Sequence, residues 1–236
     1  MDANALKRIN QARRERRAVV LVTDLADATS RVIEEGQAVG GALGEAVAKA
    51  FRSGVSGSVE AEGRSLFLNV QVPHPRLVAI GAVHISQALA PMAKVAGFDM
   101  EIIDPRTAFA TPERFPDVLL HAEWPEDVLK RQALDGYTAL AVLSHDPKID
   151  DFPLKAALDA GCFYVGALGS RKTHAKRVER LLAAGATAEQ IDRIHAPIGL
   201  DIKASSPAEI AVAVLAQVIG ALRTRGVARD SKDAAA

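Results

Sequence analysis

Between residues 77 and 222 the chain repeats one pattern: a short apolar run, a turn marked by glycine or small polar residues, then a stretch with helical spacing. The apolar runs lie at 77 to 80, before Asp104, at 118 to 122, at 138 to 143 and at 163 to 165. Most of them lack the in-out alternation of a half-exposed strand, so they suit strands buried on both faces. Strands that alternate with helices are joined by right-handed crossovers and form a parallel sheet covered on both sides. The expected fold class is therefore α/β, a doubly wound parallel sheet.

The first 72 residues read differently. Residues 1 to 17 are densely charged and suit a helix or arm with a solvated face, followed by short strands at 18 to 25 and around Arg31 to Ile33. Glu34-Glu35-Gly36 is a turn signal, 42 to 51 has alanine-rich helical spacing, and SVEAEGRSLFLNVQV suggests a hairpin about Glu62-Gly63. This predicts a small N-terminal α+β unit over 1–72, with Pro73-His74-Pro75 as the boundary. A main domain over 73–225 and a disordered tail over 226–236 would complete the chain. Equal numbers of basic and acidic residues, 29 each, give no global pull toward nucleic acid or a membrane surface. The apolar helix near Ile210 to Leu222 is interrupted by Gln217 and falls short of a bilayer span. With no signal peptide visible, a cytoplasmic location is expected.

Ligands of open α/β sheets bind just beyond the carboxyl ends of the strands. Four strand-to-helix corners there carry suitable residues: Gly81 to His84, Asp104 to Arg106, Ser144 to Lys148, and Gly166 to His174. The loop from His195 to Asp201 is a candidate fifth wall. In FYVGALGSRKTHAKR the turn holds Gly166, Gly169 and Ser170, and Arg171, Lys172 and His174 open a helix, a combination suited to an anion. A solvated βα turn is the alternative. Asp104 lies 23 residues beyond Gly81, near the ~20 expected of a ribose-binding acid, but the fingerprint G-x-G-x-x-G reads here as Gly81, Val83 and Ser86. NAD(P) binding of the usual type is not expected. His145 and Asp146 are read either as ligand contacts or as an Asp-Pro bend. Asp150 or Asp151 is expected to cap the following helix, and Pro91 to kink the helix after Gly81 or delay its start. The sequence suggests no metal site.

IDPRTAFATPERFP (103 to 116), LSHDPKIDD (143 to 151), FYVGALGSRKTHAKRVERL (163 to 181) and HAPIGLDIKASSPAEIAV (195 to 212) together resemble the XdhC/CoxI family, accessory proteins of molybdenum hydroxylases. The resemblance covers about two thirds of the chain. It implies a Rossmann-like C-terminal domain that binds molybdenum cofactor, a molybdopterin in mono- or dinucleotide form. It also implies help with sulfuration by a cysteine desulfurase or other sulfurase, and delivery to an apo-hydroxylase of the xanthine dehydrogenase or carbon monoxide dehydrogenase type. Such a chain is a maturation factor rather than an enzyme, and a homodimer is left open. The cofactor-binding set would be Gly81, His84, Asp104, Arg106, His145, Asp146, Gly166, Gly169, Ser170, Arg171, Lys172, His174, His195 and Asp201, with no catalytic residue. The chain departs from the family at Gly40-Gly41-Ala42, where members have Gly-Gly-Cys, and at GAVHIS (81 to 86), a form resembling the CoxI-like branch.

The competing readings are an NAD(P)-dependent oxidoreductase using His145 or His174 as proton donor, and a regulatory or scaffold protein that keeps the fold without the ligand. Cys162, the single cysteine, rules out an internal disulfide and is expected to be a structural thiol at the start of a buried strand, too far from the Gly166 corner to hand sulfur to a ligand there.

Overall fold

A computed structural model describes residues 3–225; the tail expected over 226–236 lies outside the described residues. The described residues form two compact units, one made of residues 3–73 with 223–225, the other of His74–Leu222.

In the first unit, β1 (Val19–Asp24), β2 (Ser30–Glu34), β3 (Gly57–Ala61) and β4 (Arg64–Gln71) form an antiparallel sheet of order β2-β1-β4-β3. The two-residue turn Glu62-Gly63 joins β3 to β4 with positive φ at both positions, the geometry that matches strand twist. Helix α2 (Gly41–Ser53) covers one face through Leu43, Val47 and Ala50 against Val20, Val22 and Ile33. Helix α1 (Ala3–Arg14) covers the other: Ala5, Ile9 and Ala12, spaced four and three apart, meet Val19, Leu21 and Val32. The charged N-terminal segment is thus a helix with a narrow buried stripe rather than a free arm.

The second unit is a six-stranded parallel sheet of order β10-β9-β8-β5-β6-β7, built from β5 (Arg76–Ile80), β6 (Asp99–Ile103), β7 (Leu119–His121), β8 (Thr138–Val142), β9 (Tyr164–Ala167) and β10 (Ile194–His195). Alternate residues of the buried strands feed two cores. Leu77, Ala79, Ala139 and Ala141 face α3 (His84–Val95) and α8 (Pro207–Arg223). Val78, Ile80, Leu140 and Val142 face α4 (Pro125–Arg131), α5 (Pro147–Asp159), α6 (Arg171–Ala183) and α7 (Ala188–Ile191). The chain winds outward from β5 through β6 to β7, then returns to place β8 against the other side of β5. The turns after β5 and β8 therefore diverge, and this is the crevice at which such sheets bind ligands.

Local chemistry explains several boundaries. Thr187 and Gln190 form the reciprocal cap of α7. At α8, Ser206 Oγ accepts from Glu209 N–H while the Glu209 carboxylate accepts from the Ser205 and Ser206 N–H groups. Helix α3 runs unbroken from His84 with Pro91 inside, so the expected late start does not occur. Helix α5 begins at Pro147, earlier than expected: Asp146 is its cap, accepting from Lys148 N–H, and neither Asp150 nor Asp151 has that role.

Gly166 requires a correction. It lies inside β9, paired with Ala141, and not in the turn that follows. A Cβ there would sit 2.5 Å from the Tyr164 hydroxyl and 2.6 Å from Ile198 Cγ1, so the absent side chain makes room for core packing. Gly166→Ala is expected to destabilise the protein by about 1–3 kcal/mol through overpacking, read as a lower denaturant midpoint with an unchanged slope.

Candidate functional site

The crevice is closed at its base by backbone. Gly81 follows β5 with φ +114°, and a Cβ there would lie 3.1 Å from Ser144 N and 3.3 Å from Leu143 C. Glycine at this corner permits contact between the two diverging turns. The next N–H groups are already engaged: Ala82 N–H donates to Asp104 Oδ2 at 2.7 Å, and Val83 N–H to Ser86 Oγ at 2.9 Å. Ser86 Oγ in turn donates toward Gly81 O at 2.7 Å. His84 opens α3 and is exposed.

Asp104 is fully buried at the end of β6 and accepts from Arg106 N–H and Nε at 2.9 Å and from Nη2 at 2.7 Å. Burial alone would raise its pKa, but the hydrogen bonds from Arg106 and Ala82 outweigh that and hold the carboxyl below its ordinary value. Both oxygens are thus engaged within the protein. The group expected to meet a ribose instead fixes the Arg106 guanidinium, which lies over the Phe109 ring at 4.9 Å and feels the negative charge of Asp146 and Asp150. Arg114, not singled out from the sequence, ties this loop to the β5 corner by donating to Ala82 O, Phe109 O and Gln87 Oε1.

Beyond β8 the chain turns through His145 in the left-handed region, φ +68°, where non-glycine residues are uncommon and strained. His145 is exposed and stands beside a 230 Å³ pocket between the start of α5 and the flank of α6. Pro147, Asp150, Lys172, Thr173, Lys176, Arg177 and Arg180 complete its lining. Asp150 is 2% exposed and accepts a 2.5 Å hydrogen bond from Ser144 Oγ. Burial pushes its carboxyl up to about 6, against the lowering effects of Ser144 and the Arg177 charge. Arg177 is also 2% exposed; its Nη2 donates to Leu168 O at 2.9 Å, while Nε and Nη1 have no hydrogen-bond partner among the described residues. Arg180 is held by Asp151 at 2.5 Å.

Gly169, φ +135°, packs against Thr173, and Ser170 caps α6 by accepting from Thr173 N–H. Arg171 and Lys172 are exposed on the first turn. His174 is half-buried with Nδ1 unpartnered, and burial followed by the Arg177 charge lowers its pKa. His195 continues the sheet beside Gly166 and stacks on Tyr164 at 4.8 Å, while Asp201 is exposed and paired with Lys203 at 2.6 Å. The structure thus brings Gly81, Asp104, Arg106 and the Ser144 to Asp146 turn together, with Lys172 near His145. Gly166 and His195 serve the sheet, and the Asp201 carboxylate is engaged by Lys203. Sequence reasoning left Asp150 and Arg177 out of the site; the signal within reach was the arginine at the position four after Thr173 on a helix whose capping serine precedes it.

Asp150 makes the protein's stability depend on pH with a definite sign. Its folded pKa lies above the ordinary 3.8, so the unfolded chain releases this proton first, and stability falls as pH rises from about 4 to about 6. Two pH units at 1.4 kcal/mol each set the contribution at about 3 kcal/mol. Part of this is already lost by pH 4.5, so the unfolding free energy of wild type minus that of Asp150→Asn should fall by about 2 kcal/mol between pH 4.5 and pH 7.5, as measured by denaturant titration; a difference independent of pH would contradict it.

Among the described residues no helix is long and apolar enough to cross a membrane, and no cluster of His, Cys, Asp and Glu could hold a metal ion. Comparison with known proteins now gives this geometry a lineage. The chain is 36% identical over 157 residues to the uncharacterized protein YqeB of Escherichia coli (strain K12), covering 66% of this chain and 29% of that one. It is 32% identical over 157 residues to a probable xanthine dehydrogenase subunit of Bacillus subtilis (strain 168), 66% of this chain and 45% of that one. It is 33% identical over 146 residues to the molybdenum cofactor insertion chaperone PaoD of Escherichia coli (strain K12), 62% of this chain and 40% of that one. The chain therefore spans less than half the length of these relatives. A crystal structure described as a xanthine dehydrogenase from Bacillus halodurans shares the fold, with a TM-score of 0.62, 24% identity, and coverage of 97% of this chain and 66% of that one. The model of the XdhC Rossmann domain matches residues 77–218, from the first strand of the parallel sheet to the last core turn of α8, and the chain belongs to the XdhC family.

Proposed function

We propose that this chain binds molybdenum cofactor at the carboxyl edge of its parallel sheet and delivers it to a molybdenum hydroxylase apoenzyme of the xanthine dehydrogenase type. The observation that carries the reading is the charge of that edge. Arg106 is held by Asp104 at the crevice, and Lys172, Lys176, Arg177 and Arg180 line the pocket beside it. A cofactor that bears a phosphate or pyrophosphate suits such a donor set. Arg106 and the α6 cations would hold the phosphate end, and the exposed His84 and His145 would flank the crevice. When bound, the cofactor supplies the molybdenum centre used by the hydroxylase that receives it. The relative named as a molybdenum cofactor insertion chaperone supports the same role.

The finer parts of the reading concern sulfur and the receiving enzyme. Cys162 is buried at the amino end of β9, and burial followed by the Asp135 charge pushes its thiol up to about 12. A thiol in that state is a poor nucleophile, so sulfur for the cofactor would come from a partner sulfurase rather than through Cys162. A receiving enzyme of the carbon monoxide dehydrogenase type is supported only by the GAVHIS turn. NAD(P) is disfavoured because the Ala82 and Val83 N–H groups, which a pyrophosphate would need, donate instead to Asp104 and Ser86.

Protein isolated from cells that make the cofactor should carry both a fluorescent pterin, after oxidation, and molybdenum, and should activate an apo-hydroxylase. Absence of both with no activation would overturn the proposal, and micromolar NAD binding by calorimetry would favour the oxidoreductase reading. Cys162→Ala, with a sulfurase supplied, should support sulfuration as well as the unmutated chain does; loss of sulfuration in a folded variant would return the thiol to the mechanism.

A further inference from the structure

The geometry points to a dedicated phosphoryl-binding pocket between α5 and α6, anchored by the buried Arg177 guanidinium and walled by Lys172 and Lys176. The inference rests on the cofactor reading only for the identity of the molecule that would bring the phosphoryl group. Three observations carry it. Arg177 is 2% exposed, yet only Nη2 is bonded, to Leu168 O; Nε and Nη1 have no partner among the described residues, and the residue lines the pocket. A buried donor left unmade is costly, so a guanidinium with two unpartnered nitrogens, on a residue that lines a cavity, is a place for an oxyanion.

The second observation is charge. Of the pocket's cations, Arg180 is engaged by Asp151, which leaves Lys172, Lys176 and Arg177 against the single carboxylate of Asp150. Asp150 itself is bonded by Ser144 Oγ and not by Arg177, so it does not satisfy the unpartnered Arg177 nitrogens. Three cations against one carboxylate leave two positive charges, which match the roughly −1.5 to −2 charge of a phosphomonoester at neutral pH.

The third is size. Pockets for whole drug-sized ligands run from about 300 to 1,000 Å³, and this one measures 230 Å³. It takes the charged end of a ligand and leaves the rest outside. Arg171, on the first turn of α6, is not part of its wall, so the anion contact shifts from the helix tip to the helix flank.

The test titrates labelled protein with inorganic phosphate and then pyrophosphate at constant ionic strength, following the Arg177 Nε–Hε resonance. A saturable shift of that resonance is expected, with at least a tenfold loss of phosphate affinity in the Lys172→Gln/Lys176→Gln variant, whose two changed side chains are exposed and leave the core untouched. A resonance that stays still, or that responds equally to chloride, overturns the pocket, as does unchanged affinity in the double variant. The two proposals fail separately. A chain that binds phosphate here but never carries pterin refutes the cofactor reading alone, whereas a pterin-carrying chain with a silent Arg177 refutes the pocket alone.

Discussion

The approach of two backbone turns at Gly81 and Ser144 is the constraint on which the rest of the site depends. Because β8 returns to the free side of β5, the turns that follow these strands must pass each other at close range, and a side chain at Gly81 would press on the Ser144 amide. With that contact made, Ala82 N–H points at Asp104, Asp104 fixes Arg106, and Ser144 Oγ reaches the buried Asp150. A single glycine thereby sets the position of two carboxylates and one guanidinium that follow two different strands, β6 and β8. The same arrangement explains why the dinucleotide fingerprint is imperfect. The polypeptide's own carboxylate and hydroxyl occupy the donors that a pyrophosphate would otherwise use.

Much of the fold was legible because it is written in local patterns. The unalternated strands and the helices between them gave the parallel sheet, Glu62-Gly63 gave the hairpin, and Thr187 with Gln190 and Ser206 with Glu209 gave two helix starts. What stayed hidden depends on partners distant in sequence. Gly166 resembles a turn glycine until Ile198 and the Tyr164 hydroxyl are seen to fill the space where its side chain would be. Asp150 and Asp151 are adjacent acids in the first turns of a helix, but the former is buried under Ser144 and the latter faces Arg180.

Arg177 is the sharpest case. In sequence it is one of several basic residues in RKTHAKRVER; its spacing four before Leu181 puts it on the inward side of α6, unlike Lys176, but its residue type argues against burial there. Its burial follows from where α6 crosses the end of β9, which puts one flank of the helix against Leu168 and the start of α5. A charge made inaccessible by tertiary packing sits where the period alone would place an apolar residue, so the residues that most distinguish this site from a generic βα corner were the least visible from sequence.

The antiparallel unit offers a different consequence. Strand β1 is interior to its sheet and is sandwiched by α1 on one face and α2 on the other, with Val19 and Val20 wholly shielded from solvent. Its amides can be released only by opening both layers at once, so this strand should be among the slowest-exchanging segments of the unit in deuterium. Removing the short stripe of Ala5, Ile9 and Ala12 would lay Val19, Leu21 and Val32 bare together, which makes the charged opening helix a condition of that unit's cooperativity rather than an ornament on its surface.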